Sequence, residues 1–546
     1  MAAVAFWNRS PHHRRMVRLV PVCALAAGLA VSLITPGVAA SRAAPVQPDA
    51  ASAAFDRIRT DPARLDDVLR AMPKGADLHN HLAGAVYAES MLDWAAQDGL
   101  CVSPALGRIL PGNCGPAPVS GRVRAADLAA RPDDRADMID ALSMRDFVPT
   151  ATDRSGHDHF FATFDRFMPV QMTHGGDMLA EAVTHAAGDH VLYLELMVSP
   201  QLGPVAGLGT HLPLQGDGFA DVDRAIAPAL PALVAAARQE VDAMEARMHA
   251  VLQCGTDQAR PGCSVVVRYL YQTIRTMPPA MVFPQLDFGY ALVKADPRFV
   301  GVNIVAPEDN AIAMRDYGLH MRMFGWLARR DPQVKLSLHA GELAPGLVPP
   351  EGLRTHIRQA VEIAGARRIG HGVDILHEDD SDGLMAEMAR RRVMVEINLT
   401  SNDVILGVAG AAHPFRAYRA AGVPVALSTD DEGVSRIDLT REYDRAATTY
   451  ALDYAALRDL SRSGLEYAFV PGDSLWRQTA PYRMVAACAA VPPGPAPAAG
   501  ACHDVLAGSE KARLQWTLEA RLHDFEAGMI RDAGAGAAPR RQKGNG

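Results

Sequence analysis

The stretch DLHNHLAG, residues 77–84, sets His79 and His81 two residues apart. On a β-strand, residues i and i+2 point to the same face, so both imidazoles would meet at one place. An HxH pair alone is more often two polar residues in a loop. Three further fragments supply groups of the same kind: SLHAGE holds His339 and Glu342, RRIGHGVDI holds His371, and STDDEG holds Asp430 and Asp431. A catalytic zinc ion takes nitrogen and oxygen ligands at about 2.0–2.2 Å and keeps one position for water. Three imidazoles and one carboxylate, from Asp430 or Asp431, would make such a site. A lone histidine at a strand end is usually a hydrogen-bonded core residue, a reading that strains when four polar fragments close four strands. The second HxH pair, His157 and His159 in GHDHFF, follows no apolar strand and reads as structural or as a helix start.

These fragments need elements to carry them. Eight apolar stretches read as strands, at 75–84, 191–200, 264–275, 299–309, 334–342, 367–375, 393–402 and 423–433, with helical patterns between them. Several are continuous apolar runs, as expected of parallel strands buried on both faces. Such alternation predicts an α/β fold, a (β/α)8 TIM-type barrel, with a doubly wound sheet as the alternative. The barrel is preferred because the polar residues lie at the C-terminal ends of the strands, which a barrel gathers on one face. No G-x-G-x-x-G follows a strand and no G-K-[ST] occurs, so the phosphate cradles of nucleotide-binding sheets are missing. The expected organisation is a leader over 1–40 and one barrel domain over 41–532. An N-terminal segment and an excursion after the first strand (99–160) would be its insertions. A terminal helix runs over 503 to about 532, and a disordered tail over 533–546.

Residues 1–40 combine a basic start, the apolar run LVPVCALAAGLAVSLI and a small-residue end, PGVAA, the pattern of a cleaved export signal. The remaining six cysteines fall into three local pairs, Cys101 with Cys114, Cys254 with Cys263 and Cys488 with Cys502, among about 15 formal connectivities. Each pair brackets a Gly/Pro-rich loop, and an oxidising, exported (periplasmic or secreted) location accounts for them. A net charge of -8 argues against nucleic acid or an anionic membrane as partner.

Taken in order, MPKGADLHNHLAG, FFATFDRF, SLHAGE, RRIGHGVDI, VEINLTSN, STDDEG and LTREYDRAATTY, over roughly 72–475, resemble the adenosine deaminase family of the metal-dependent amidohydrolases. The likeness is strongest to its exported, growth-factor-like and bacterial branches. The resemblance implies zinc ligands at His79, His81, His339 and Asp430, a proton donor at Glu342 and a water-orienting His371. Asp431 would sit near the attacking water and the purine N7. Phe160 and Phe164 would line the pocket, although a buried helix face would look the same. A bound zinc lowers the pKa of its water to about 7, which supplies hydroxide near neutrality. Glu342 would protonate N1 as C6 is attacked, and must therefore hold its proton near neutral pH, which burial favours. FVGVNIVAPED has no lysine to bridge two metals, which implies one Zn2+ per chain. The H-x-E and P-C-x-x-C signature of the other zinc deaminases is missing.

Three positions depart from the family pattern. Ala83 replaces an acidic residue that touches the ribose, Ala306 a glycine whose backbone meets the purine, and Met197 an arginine after the second strand. Glu308 or Asp309 could replace a lost sugar contact. The implied substrate is adenosine or 2′-deoxyadenosine. The alternatives are adenine or a modified purine, or a nucleoside-binding or signalling protein of weak activity. A homodimer is left open.

Overall fold

The computed structural model describes residues 49–115, 121–212, 214 and 216–535. The leader and the chain beyond 535 lie outside the described residues.

All eight strands form: β1 (Lys74–His81), β2 (Val191–Val198), β3 (Val266–Ile274), β4 (Phe299–Val305), β5 (Lys335–Ala340), β6 (Arg368–His371), β7 (Met394–Ile397) and β8 (Val425–Leu427). They pair in parallel and in sequence order from β1 to β8. The last seam is closed just beyond the three-residue β8. The amide of Asp430 donates to the carbonyl of His79 at 2.8 Å, and the amide of His81 donates to the carbonyl of Asp430 at 3.1 Å. The α/β architecture is a (β/α)8 barrel, and its closing residue is one of the four expected metal ligands.

Strand geometry assigns the two faces of β1. Leu78 packs outward with Leu465, Leu514 and Leu518 of the C-terminal helices, while His79 and His81 take the other face. Helix starts are fixed by side-chain caps. The Ser155 hydroxyl accepts from the amide of Asp158 at the head of Gly156–Gln171, and Asn310 accepts from the amide of Ile312 before Ala311–Arg330.

The excursion after β1 is partly structured. Leu100–Ser103 pairs antiparallel with both Arg108–Asn113 and Val123–Arg124, and Pro132–Ala141 is helical. All three expected disulfides are present, with Cα–Cα separations of 4.8, 5.5 and 4.7 Å.

One helical pattern is interrupted and one expected helix needs correction. The pattern over 221–253 divides into Phe219–Ile226 and Leu230–Leu252, because Pro228 has no amide proton to continue the ladder. The terminal helix is two, Ala501–Gly508 and Glu510–Ala535, broken where extended Ser509 turns its hydroxyl to cap the amide of Ala512. Residues 533–535, expected in the tail, continue that helix.

Candidate active site

Three strand ends, those of β1, β5 and β8, deliver four ligand atoms to one point. The Nε2 atoms of His79 and His81 lie 3.0 and 3.2 Å from Nε2 of His339. Both also lie 3.3 Å from Oδ1 of Asp430. Tetrahedral ligands at about 2.0–2.2 Å from a zinc ion stand about 3.3–3.6 Å apart, so these separations suit a single small cation.

The ring protons give an independent test. His79 Nδ1 faces Glu396 Oε2 at 2.6 Å, His81 Nδ1 faces Gln272 Oε1 at 2.9 Å and His339 Nδ1 faces Asn303 Oδ1 at 3.0 Å. Each acceptor draws the ring proton to Nδ1 and leaves an Nε2 lone pair aimed at the shared point. Three lone pairs at this spacing repel one another unless a cation lies among them. In the bare protein burial alone would depress His79, but Asp430 and Glu396 outweigh it and raise its pKa to about 10. A proton there would compete with a metal for the same lone pair.

The supports beneath the ligands are buried. Glu396 also meets Ser337 Oγ at 2.6 Å and Arg368 at 2.7 Å, and Arg368 pairs with Glu195 at 2.6 Å. Ser401 Oγ donates to Asp430 Oδ2 at 2.6 Å. At Gly370 an added Cβ would lie 2.5 Å from the His79 ring, so this residue is glycine because the imidazole occupies the space.

Glu342 and His371 stand beside the cluster. Burial, then the charges of Asp430 and Glu308, push the Glu342 carboxyl well above its ordinary range, as a proton donor requires. Its loop is held by Glu308, whose two oxygens accept from the amides of Gly341 and Glu342 at 3.1 and 3.0 Å. Glu308 also faces His356 Nδ1 at 2.6 Å and Arg275 at 3.5 Å. Asp309 meets His157 Nε2 at 3.0 Å. Both carboxylates considered for a sugar contact are thus engaged in holding loops.

His371 has φ 68°, Asp430 62° and Ala306 80°, all in the left-handed region that non-glycine residues seldom adopt. His371 Nε2 is buried without a partner, 3.8 Å from Glu342 Oε1 and 3.9 Å from Asp430 Oδ2. Those separations are too long for direct hydrogen bonds and suit one oxygen atom between the groups. Burial lowers the His371 pKa to about 3, so the ring is neutral. Asp431 is raised by burial and by Asp430, and its Oδ1 is buried without a partner against the bare backbone of Gly84, where a Cβ would lie 1.7 Å away.

The remaining sequence candidates are placed less centrally. Phe160 is buried in the main core against Phe161 and Phe164, both partly buried. Met197 is buried with Leu270, Val305 and Phe469, and its sulfur accepts from Asn303 Nδ2 at 3.1 Å. Sequence reading missed Gln272, Asn303 and Glu396. Asn303 and Glu396 are single polar residues inside otherwise apolar strands, and that was the available signal, whereas Gln272 shares β3 with Arg268 and Thr273.

The chain matches the model of the adenosine deaminase family over residues 125–477, well over half of its length. It belongs to that family. The family match begins after β1, so His79 and His81 lie outside the matched residues, and the geometry joins them to His339 and Asp430 within it. Among curated members, the adenosine deaminase of Shewanella loihica is 37% identical over 142 residues, which cover 26% of this chain and 40% of that protein. That of Escherichia coli (strain SE11) is 36% identical over 145 residues, 26% of this chain and 40% of that protein. The chain thus spans less than half the length of these relatives. A solved adenine deaminase from Arthrobacter aurescens aligns with a TM-score of 0.47 at 16% identity, covering 73% of this chain and 94% of that one.

Proposed function

We propose that this family member is an exported, zinc-dependent aminohydrolase that converts adenosine or 2′-deoxyadenosine and water to the inosine-type nucleoside and ammonia. The observation that carries the reading is the meeting of the His79, His81 and His339 Nε2 atoms with Asp430 Oδ1, beside a buried Glu342 and His371. One Zn2+ would be held by those four residues and would supply a Lewis acid that lowers the pKa of water to about 7. The chain's own groups do the rest. Glu342 gives its proton to the ring nitrogen N1 as an oxygen adds at C6, which keeps negative charge from building on the ring. His371 holds the incoming oxygen on one face of the ring. Asp431, kept protonated by its surroundings, faces the purine N7 as a hydrogen-bond donor. Phe160 and Phe164 belong to the wall around the base, and the backbone at Ala306 to its edge. The hydroxyl proton of the added oxygen passes to the exocyclic amine, which leaves as ammonia, and the C6 carbonyl of the inosine-type product remains. The three disulfides support export, with residues 1–40 as leader and 41–532 as the working domain.

The test is ammonia release from adenosine, 2′-deoxyadenosine, adenine and AMP, with and without a chelator. Adenosine or deoxyadenosine should be preferred and the chelator should abolish turnover. A preference for adenine would revise the substrate, and silence on all four would end the purine reading. Glu342→Gln should keep metal and fold while losing roughly 10²–10⁴-fold in turnover. In the wild type, turnover should fall as pH rises through the raised Glu342 pKa, because the carboxylate has no proton to give. A pH–rate profile that is flat on its alkaline side would remove Glu342 as the acid.

A further inference from the structure

Behind His371 lies a buried chain of hydrogen bonds that the reaction above does not use. It starts at a backbone group, the amide of Phe415, which donates to Nδ1 of His413 at 3.1 Å. Nε2 of His413 meets Oδ1 of Asn402 at 3.0 Å, and Nδ2 of Asn402 meets Nδ1 of His371 at 2.9 Å. The side-chain Nδ2 of Asn398 approaches the same Nδ1 at 3.4 Å.

A backbone amide only donates, and this settles every later direction. Because His413 Nδ1 accepts, its neutral ring carries the proton on Nε2 and donates to the Asn402 oxygen. Turning the Asn402 amide over would place its NH2 against His413 Nε2, and that ring would then need two lone pairs and no proton. The Asn402 NH2 therefore faces His371 and donates to Nδ1. His371 Nδ1 accepts, which leaves the ring proton on Nε2, the atom that faces Glu342 and Asp430. Burial keeps His413 neutral, with its pKa lowered to about 4.

We infer that His413 and Asn402 are positioning residues that lock His371 as the Nε2–H tautomer, so that it holds the attacking oxygen by donating a hydrogen bond and does not begin as its proton acceptor. The contrast with the three ligand histidines supports this assignment. Their Nδ1 atoms all face oxygen acceptors and their Nε2 atoms carry lone pairs, whereas His371 has an amide donor at Nδ1 and the opposite tautomer. Two tautomers in one cluster separate the rings that bind a cation from the ring that binds an oxygen. The catalytic part of this inference rests on the deaminase reading. The tautomer does not.

Two measurements test it. In protein labelled with 15N-histidine, the ring nitrogens of His371 should report a proton-bearing Nε2 and a lone-pair Nδ1. A proton on Nδ1 would overturn the assignment whether or not any purine is deaminated. Asn402→Asp puts an acceptor where the amide donor stood, so the proton should move to Nδ1. Metal content should stay at the wild-type level and kcat should fall roughly 10²–10⁴-fold, with KM within about threefold. His413→Phe, which frees the Asn402 amide to turn, should lower kcat by roughly 10–100-fold in the same pattern. A kcat within threefold of wild type for folded Asn402→Asp would sink the positioning role. If that variant fails to fold, the wild-type spectrum and His413→Phe still decide.

Discussion

The chain contains two HxH pairs, and they meet opposite fates. His79 and His81 lie on β1, where alternate residues share a face, and both Nε2 atoms reach the same point over Asp430 Oδ1. His157 and His159 lie in the first turn of the helix Gly156–Gln171, where two residues turn the chain by about 200°. They diverge accordingly. His157 reaches Asp309 at 3.0 Å, while His159 meets Asp153 at 2.5 Å and the carbonyls of Ser143 and Asp140 at 3.0 and 3.1 Å. The first pair converges on a metal-sized site and the second fastens the excursion and a loop. Spacing in sequence acquires chemical meaning only through the period of the element that carries it.

Substitutions along the two pairs should keep that contrast, in decreasing size. His81→Ala should reduce bound zinc to trace levels and turnover by at least about 10³-fold, because the remaining donors are too few for a closed site. Stoichiometric metal in that variant, read by elemental analysis, would undo the comparison at its root. One layer out, Asn303→Ala should weaken zinc affinity by roughly 10–100-fold, since His339 loses the acceptor that fixes its tautomer. Chelator competition measures this. In the second pair, His159→Ala should leave metal content and kcat at wild-type levels but cost about 1–3 kcal/mol of stability through its unpaired partners. His157→Ala should cost less, about 1 kcal/mol, because this ion pair is partly buried, with side chains 14% and 19% exposed, and has a single strong partner. The His157 pKa is raised because Asp309 outweighs burial, so this contribution is present in acid and disappears as pH rises through the raised value. Denaturant melts at several pH values would show it, and loss of zinc in either variant would erase the distinction drawn here.

Much of the barrel was legible because its signals are local. Apolar runs marked all eight strands, and the polar residues at their ends named His79, His81, His339, Glu342, His371, Asp430 and Asp431 before any fold was known. Two helix breaks are local features that a continuous helical pattern masks, whereas the missed site residues depend on partners distant in sequence. Pro228 divides a helix whose amphipathic pattern runs straight through it, and Ser509 divides another by turning back on its own backbone. Asn303 and Glu396 look like isolated polar lapses, and Gln272 like one of several polar residues in its strand, until β3, β4 and β7 set Gln272 behind His81, Asn303 behind His339 and Glu396 behind His79. Glu308 and Asp309 looked available for a ligand because nothing nearby in the chain opposes them, yet Arg275, His356 and His157 do so in space.

Element types, the face of each strand and the inventory of groups able to bind a cation or move a proton follow from short-range periodicity and side-chain chemistry, and so are written in the chain. Which nitrogen of each ligand imidazole points inward is set only in the assembled barrel. That choice depends on a hydrogen-bond partner brought from another strand, hundreds of residues away for His79 and Glu396. The same closure puts Asp430 into the last seam of the barrel, where its backbone joins the sheet and its carboxylate joins the site.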